Sequence, residues 1–541
     1  MAISALLALL SGILYVLSFA PWDQAYLQWI AFIPLFYAVE RLRPEQKSRK
    51  NIFALGFILS FLIGAGGFYW TIYATQQYGG LPYPASVALF LLFCIAGQLQ
   101  VPIYLFLREN LRSHSKLKGR IMASALLLGL AYAGIEAFYP KLFKDTAGNA
   151  FYASSWVRQA ADIGGPFFLT TLVLIVNELL FAASLYKKIK YLLATALLGA
   201  LIASYGFYRN YQYADLKAQH AGDPVFRASL IQANIGDYLK VAAERGEISA
   251  SAQVMNDYLN LSKRAMADQL KPDAIIWPET AYPAIFQKPL SGIEMQMETL
   301  LRGFTHDLKA SLIFGGYDID SKRMEYNSLF FYDPQTQTKQ VYHKSVLLMF
   351  GETLPFAESF PEMKSWFPTM GFFGQGPGPQ VYEVKNQSGQ AFKFAPSICY
   401  EGLFTDHSVE GALKGADVLL NVTNDSWFGP DGEPYLHLAL TRFRTIETRR
   451  PMIRATNTGF TVWIDPMGNQ LKTTELFKPD ILNAEVQNHF FPESPYLAMS
   501  RVFGGNWYVR LCELIALVAL IVVLLERVRK NTENTERLSK L

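Results

Sequence analysis

Ala395-Pro396-Ser397-Ile398-Cys399-Tyr400-Glu401-Gly402 decides how the rest of the chain is read. The apolar, partly β-branched run 392–398, broken by Lys393, predicts a strand that delivers a cysteine, followed at once by a carboxylate and a glycine. A nucleophile carried at the end of a strand has this form. Of the three cysteines, Cys94 and Cys512 lie inside long apolar runs, where a thiol behaves as a small hydrophobe. Cys399 is the one in polar surroundings. A buried inert thiol is the plain alternative for any single cysteine, and the remaining sequence has to decide against it.

Working outward, the 541 residues are 51% hydrophobic and 14% aromatic, too apolar for a soluble multidomain protein. Seven apolar runs, at 3–20, 25–40, 52–74, 85–107, 121–138, 165–186 and 190–208, predict transmembrane helices, and an eighth lies at 507–526. The second is short and contains Pro34, so a tilt or kink is expected there. The first run has no basic segment before it and no small-residue cleavage site after it. Phe19-Ala20-Pro21-Trp22-Asp23 follows instead, so a retained span is expected rather than a cleaved signal peptide.

Basic residues mark the cytoplasmic side of a membrane protein. Arg41, Arg43, Lys47, Arg49 and Lys50 follow the second run, and Arg108, Arg112, Lys116, Lys118 and Arg120 follow the fourth. Lys187, Lys188 and Lys190 follow the sixth, and Arg527, Arg529, Lys530, Arg537 and Lys540 follow the eighth. The odd-numbered exits have no such bias. Both termini are therefore expected in the cytoplasm, with the segment between the seventh and eighth runs on the far side. In a bacterium that side is the oxidising periplasm, where a lone unpaired thiol is unusual unless it works. The net charge of +4 is too small to suggest nucleic acid.

The division expected is 1–224 for the first seven spans, 225–495 for an extracytoplasmic catalytic domain, and 496–541 for the last span and a basic cytoplasmic tail. In the connection 139–164, aromatics beside polar groups predict an interfacial belt. Glu136 is expected to face the protein interior or Arg158. Residues 225–490 alternate short β-rich runs (227–232, 274–277, 312–315, 328–332, 392–398, 418–422, 453–456 and 460–464) with helix-like stretches such as 249–270 and 441–447. That alternation predicts a layered α/β domain.

Several strand ends carry reactive groups. Trp277-Pro278-Glu279 supplies a glutamate, His343-Lys344 a lysine, Gly351-Glu352 a second glutamate, and Cys399 the thiol. Such a set suits acyl transfer: a carboxylate takes the thiol proton, the thiolate attacks an acyl carbon, and the ammonium holds the oxyanion. Residues 361–379, rich in aromatics, Gly and Pro, read either as a lid or as a loop packed on its own domain. No His/Cys cluster or phosphate-binding glycine motif is present, so neither a metal nor an organic cofactor is expected.

Trp277-Pro278-Glu279, the downstream Lys344 and Cys399-Tyr400-Glu401 resemble the Glu-Lys-Cys triad of the nitrilase superfamily, which implies an α-β-β-α sandwich. Lys344-x₆-Gly351-Glu352, Asn421-x-x-Asn424-Asp425-x-Trp427-Phe428-Gly429 and Arg442-x₄-Glu447-x-x-Arg450-Pro451-x-x-Arg454-x-x-Asn457-x-Gly459 are similar to the bacterial apolipoprotein N-acyltransferase family. The resemblance covers almost the whole chain. It implies Glu279 as general base, Lys344 as oxyanion stabiliser and Cys399 as nucleophile. Glu352, Tyr400 and Glu401 would be supporting residues, and Asn424 and Trp427 substrate-binding ones. It also implies a phospholipid acyl donor, diacylglyceryl-modified apolipoproteins as acceptors, an inner-membrane location and a monomer. Two departures stand out: Lys240 is followed by Val241 where the family usually has an aromatic, and His407, with no triad role, is expected on the surface. The rival readings are a membrane-tethered amidase or nitrile hydrolase using the same triad with water, and a scaffold or transporter, for which Asn177 and Glu178 would be the mid-membrane polar groups.

Overall fold

Helices that are apolar over most of their surface, and strands whose residues are buried on both faces, separate the chain into two kinds of structure. The structure, a computed structural model, describes residues 1–42, 48–77, 79–113, 119–244, 246–289, 291–306, 308–354, 360, 362, 372–488 and 490–539. One compact unit comprises Met1–Ile72, Pro82–Arg209 and Asn506–Leu541, the other Tyr73–Leu81 and Asn210–Gly505.

The first unit is helical. Among the described residues, six helices are long and apolar enough to cross a membrane: Arg49–Gly67, Tyr83–Arg112, Ile121–Phe138, Val157–Tyr186, Ile189–Gln219 and Trp507–Arg529. This corrects the expected count of eight, because Ala2–Leu17 and Ala25–Glu40 are shorter apolar helices. At about 1.5 Å per residue the first of these reaches only about 24 Å, against a hydrocarbon layer of about 30 Å. Apolar side chains such as Leu193, Leu197 and Leu201 are exposed, as lipid-facing residues are.

Ionisable groups in this unit are paired inside it. The Glu136 carboxylate accepts from Ala147 N (3.1 Å) and Thr170 Oγ1 (3.1 Å), and its cation is Lys141, at 3.8 Å, rather than Arg158. Asn177 accepts from Phe32 N (2.9 Å), and Glu178 accepts from Arg108 Nε (2.5 Å) and Tyr104 Oη (3.1 Å). These are packing contacts between helices, since an unpaired polar group is costly there. The expected interfacial belt at 139–164 is corrected in part: Phe151 is buried against Trp29 (4.5 Å between rings), while Trp156 stays exposed. Two 3-10 turns, Ala147–Ala153 and Val157–Ala160, fold the segment back into the unit.

The second unit contains two six-stranded sheets. The first holds β1 (Val225–Gln232), β2 (Ala274–Ile276), β3 (Ser311–Ile319), β4 (Glu325–Asp333), β5 (Thr338–His343) and β12 (Asp480–Gln487), in the order β12-β1-β2-β3-β4-β5. The second holds β6 (Tyr382–Lys385), β7 (Ala391–Ile398), β8 (Val418–Thr423), β9 (Met452–Thr456), β10 (Val462–Ile464) and β11 (Gln470–Thr473), in sequence order. Each sheet has the same plan: an antiparallel edge strand, three parallel strands, then two antiparallel ones. The sheets face each other. Phe226 of β1 meets Phe392 and Phe394 of β7 at 5.3 and 5.0 Å, and Phe331 of β4 stacks on Tyr382 of β6 at 4.6 Å.

Helices Ile248–Met266 and Gly292–His306 cover the other face of the first sheet, where Met255, Tyr258 and Leu301 pack on Ile275, Trp277 and Phe314. Helices Thr405–Leu413, Glu433–Thr441 and Phe443–Thr448 belong to the second sheet's side, with Leu438 packed among Ala395, Leu419 and Met452. This is the α-β-β-α layering of a sandwich with open sheets. The expected helix at 441–447 is the short helix Phe443–Thr448, set off at Arg442 from the preceding helix Glu433–Thr441.

His407 is corrected from a surface residue to a buried one: its Nε2 lies 3.0 Å from Pro396 O and 3.4 Å from Tyr342 Oη. Most of the suggested lid 361–379, including Gly371, lies outside the described residues. Its described C-terminal arm is tied down, with Gly374 N donating to Glu325 O (2.7 Å) and Gly376 N to Lys344 O (2.8 Å).

In the helical unit a Cβ on Gly134 would fall on the backbone of Cys512–Glu513, 2.7 Å from Glu513 N. Small residues permit such close helix contact. Gly134→Val is expected to cost about 1–3 kcal/mol, as overpacking does, and to lower the thermal midpoint of the purified protein; Gly199→Val, whose Cβ would meet nothing within 4 Å, should leave it unchanged.

Candidate active site

Reactive groups collect where several strands end in the second unit. β2 ends at Ile276, and Trp277 and Pro278 carry the chain to Glu279. β5 runs straight into Lys344, β7 into Cys399, and β8 into Asn424. Parallel strands end on one edge of their sheet, so residues just past them converge from distant positions in sequence. Cys399 has φ of +51°, a left-handed conformation that is uncommon for a residue with a side chain, and begins a 3-10 turn, Cys399–Leu403.

The Lys344 ammonium lies 3.3 Å from Glu279 Oε1 and 2.8 Å from Glu352 Oε1. Asn327 Nδ2 donates to both carboxylates, at 2.8 Å to Glu279 Oε1 and 3.0 Å to Glu352 Oε1. The second oxygen of Glu279 accepts from Asn424 N (3.0 Å), and that of Glu352 from Leu348 N (2.8 Å). Each carboxylate is thus fixed at both oxygens. Lys344 is 1% exposed, Glu279 7% and Cys399 8%.

Burial works against a charged Lys344, but Glu279 and Glu352 outweigh it and hold its pKa well above the ordinary lysine value, so it remains an ammonium. The Cys399 thiol is pushed well up by burial and by the Glu279 charge; Lys344 and a hydrogen bond with the Thr423 side chain offset this only in part. The resting form of Cys399 is therefore the thiol.

Glu401 joins the two loops that carry Lys344 and Cys399. Its carboxylate accepts from Ser345 N (2.5 Å), Ser345 Oγ (2.9 Å) and Val346 N (2.9 Å) on one side and from Ile398 N (2.7 Å) on the other, with Tyr342 Oη at 2.8 Å. Tyr400 packs edge-on against Phe404 at 5.0 Å. Asn424 is 1% exposed, and its side chain meets Asn457 and Ser426. The amide orientation that satisfies both of its ends turns the oxygen toward Lys240 Nζ (2.8 Å) and Trp427 Nε1 (3.1 Å).

The sequence gives little sign of three further contributors. Asn327 sits within β4 as an ordinary strand residue, and only the fold places it between two carboxylates. Lys240 is buried, donates to Thr280 Oγ1 and lies 3.5 Å from Glu279 O, so a second ammonium stands beside Glu279. The third is a network behind Cys399. His437 Nε2 lies 3.4 Å from Cys399 O, and its Nδ1 lies 3.1 Å from Asp425 Oδ1 and 3.2 Å from Glu433 Oε1. Thr423 Oγ1 donates to Asp425 Oδ1 at 3.0 Å, and Arg454 Nη2 lies 3.0 Å from Asp425 Oδ2. The Asp425, Glu433 and His437 donor atoms all lie within 4.8 Å of one another. Arg454 already supplies the positive charge a metal ion would bring, and a cation would have to displace it. Burial raises the Asp425 pKa, but Arg454 and His437 together outweigh it and keep the group a carboxylate.

The profile of the carbon-nitrogen hydrolases matches residues 227–490, which defines the class of the second unit: a cysteine-dependent member of the nitrilase superfamily. Residues 11–179 match the apolipoprotein N-acyltransferase N-terminal domain. The chain is 34% identical over 485 residues to an apolipoprotein N-acyltransferase of Bdellovibrio bacteriovorus, covering 87% of this chain and 85% of that protein. It is 32% identical over 497 residues to that of Geobacter metallireducens, covering 89% of each. Among solved structures it is similar to Saccharomyces cerevisiae Nit3 of the nitrilase superfamily, at 17% identity and a TM-score of 0.34, covering 52% of this chain and 94% of that one. The chain belongs to the apolipoprotein N-acyltransferase family, a bacterial family of multi-pass membrane enzymes.

With its pKa raised and no substrate present, the thiol should alkylate slowly at neutral pH. For a group whose thiolate form is disfavoured, the rate should rise about tenfold per pH unit from pH 7 past the ordinary thiol value of about 8.5. Iodoacetamide labelling of Cys399, followed by peptide mass spectrometry, should show no plateau below pH 9; a plateau at pH 7 would mean a resting thiolate.

Proposed function

We propose that the chain transfers an acyl group from a phospholipid to the α-amino group of the diacylglyceryl-modified N-terminal cysteine of an apolipoprotein, through a thioester on Cys399. Glu279 takes the Sγ proton, the thiolate attacks the ester carbonyl, and Lys344 holds the oxyanion. The ester C–O bond breaks, the proton passes from Glu279 to the leaving oxygen, and a lysophospholipid departs. The acceptor amine then attacks the thioester, the C–N bond forms as the C–S bond breaks, and Glu279 moves the amine proton to Sγ. The sequence is ping-pong. Glu352 keeps Lys344 charged, and Tyr400 and Glu401 hold the nucleophile loop. Asn424 and Trp427 line the substrate path. The observation that carries this reading is the buried ammonium of Lys344, 3.3 Å from Glu279 Oε1 and 2.8 Å from Glu352 Oε1, at the strand ends that also carry the buried Cys399.

In this reading residues 1–224 hold the membrane helices that precede the catalytic domain, 225–495 the catalytic domain in the periplasm, and 496–541 the last span with a cytoplasmic tail. The basic residues after every second apolar run support that orientation.

Phospholipid given alone should produce one equivalent of lysophospholipid and an acyl adduct on the intact protein, stable until a diacylglyceryl-cysteinyl peptide is added. Cys399→Ala should form no adduct, and Glu279→Gln should slow the burst by about 10²–10⁴. An adduct lost to water within one turnover, with fatty acid released, would favour a membrane-tethered amidase-type hydrolase instead.

A further inference from the structure

The helical unit has a recess of about 530 Å³ that the acyl-transfer chemistry does not use. It is bounded by the start of helix Arg49–Gly67, by helix Gln100–Ser113 and by Arg527 of the last helix. Phe53, Pro102, Ile103 and Phe106 form its apolar wall, and Arg49, Lys50 and Arg527 stand at its rim. The size falls within the range of about 300–1,000 Å³ typical of small-molecule sites.

Among the described residues the charges at this rim do not balance. Glu109 also lines the recess but is committed to Arg108 (2.9 Å), which with Arg112 holds Glu178. These two guanidiniums and two carboxylates balance in charge, and Arg49, Lys50 and Arg527 remain at the rim. Among the described residues, neither Arg49 nor Lys50 has a side-chain hydrogen bond or ion pair. Both lie in the first turn of their helix, where the backbone N–H groups add to the positive potential, a placement that is unfavourable unless an anion is near. Arg527 is held in place: its Nη2 donates to Asn110 Oδ1 at 2.8 Å, and its guanidinium lies over the Phe106 ring at 4.4 Å. A small hydrophilic anion would satisfy the rim and waste the wall, where Phe53 is 49% and Ile103 39% exposed. A lipid with a charged head matches both.

We propose that this recess binds an anionic glycerophospholipid, its phosphate between Arg49, Lys50 and Arg527 and an acyl chain along Phe53, Ile103 and Phe106. The orientation proposed above puts the rim in the cytoplasmic leaflet, where anionic headgroups concentrate. The binding itself is independent of the acyl-transfer reading.

The test is native mass spectrometry of the full-length protein with equimolar phosphatidylglycerol and phosphatidylcholine. It is run in the Cys399→Ala background so that no lipid is consumed. Phosphatidylglycerol should be retained in preference. Arg49→Gln and Lys50→Gln, both at exposed positions, should each lower its occupancy roughly fivefold, and Arg527→Lys should keep most of it. Equal retention of the two lipids, or unchanged phosphatidylglycerol occupancy in an Arg49→Gln/Lys50→Gln double variant, would overturn the proposal. So would displacement of the lipid by millimolar inorganic phosphate, which would mark a phosphate site.

Discussion

One buried ammonium between two carboxylates is the constraint on which the catalytic unit turns. Moving an isolated carboxylate out of water costs several kcal/mol even after relaxation, and a neighbouring carboxylate adds repulsion. Lys344 makes the pair tolerable, and Asn327 and the amides of Asn424 and Leu348 supply the hydrogen bonds that water would otherwise give. Lys344 balances one of the two carboxylates, and the thiol nearby is itself unfavourable to ionise. In the proposed reaction Glu279 is the base and Cys399 the nucleophile, and this arrangement would form the thiolate only when an acyl carbon is there to receive it.

The fold supplies this device through repetition of one plan. Each sheet sets three parallel strands between antiparallel neighbours, so each has an edge where strand ends gather. The first sheet contributes Glu279, Asn327 and Lys344; the second contributes Cys399, Thr423 and Asn424. Glu401 is the cross-link between these contributions, fixing Ser345 and Val346 relative to Ile398 through one buried carboxylate. The network of Arg454, Asp425 and His437 then backs Cys399, reaching its carbonyl through His437 and its thiol through Thr423.

How far the sequence could be read follows from the same physics. The central strands were legible because they are buried on both faces: Val418–Thr423 has no exposed residue, and its composition is apolar apart from Asn421 and the terminal Thr423. β5, β6, β11 and β12 escaped because they lie at or next to the sheet edges and alternate or expose polar side chains; all four residues of β11 are exposed. Glu279 and Cys399 could be singled out because each follows an apolar run, and Lys344 through the spacing Lys344-x₆-Gly351-Glu352. Asn327, Lys240 and His437 could not, since an amide in a strand or a base on a helix carries no local signal of what the tertiary fold sets opposite it. His407 misled for the converse reason: a polar side chain near a helix start looked solvent-exposed, yet Pro396 O and Tyr342 Oη receive it in the interior.

The claim that Glu279, Lys344 and Cys399 act as a unit is tested most directly by single-turnover acylation of Cys399 in Glu279→Gln, Lys344→Met and the double variant, with native circular dichroism as the control for folding. Groups that serve one transition state give non-additive losses. The double variant should therefore acylate about as slowly as the worse single one. Losses that multiply, or a Lys344→Met variant with the wild-type rate, would contradict the account.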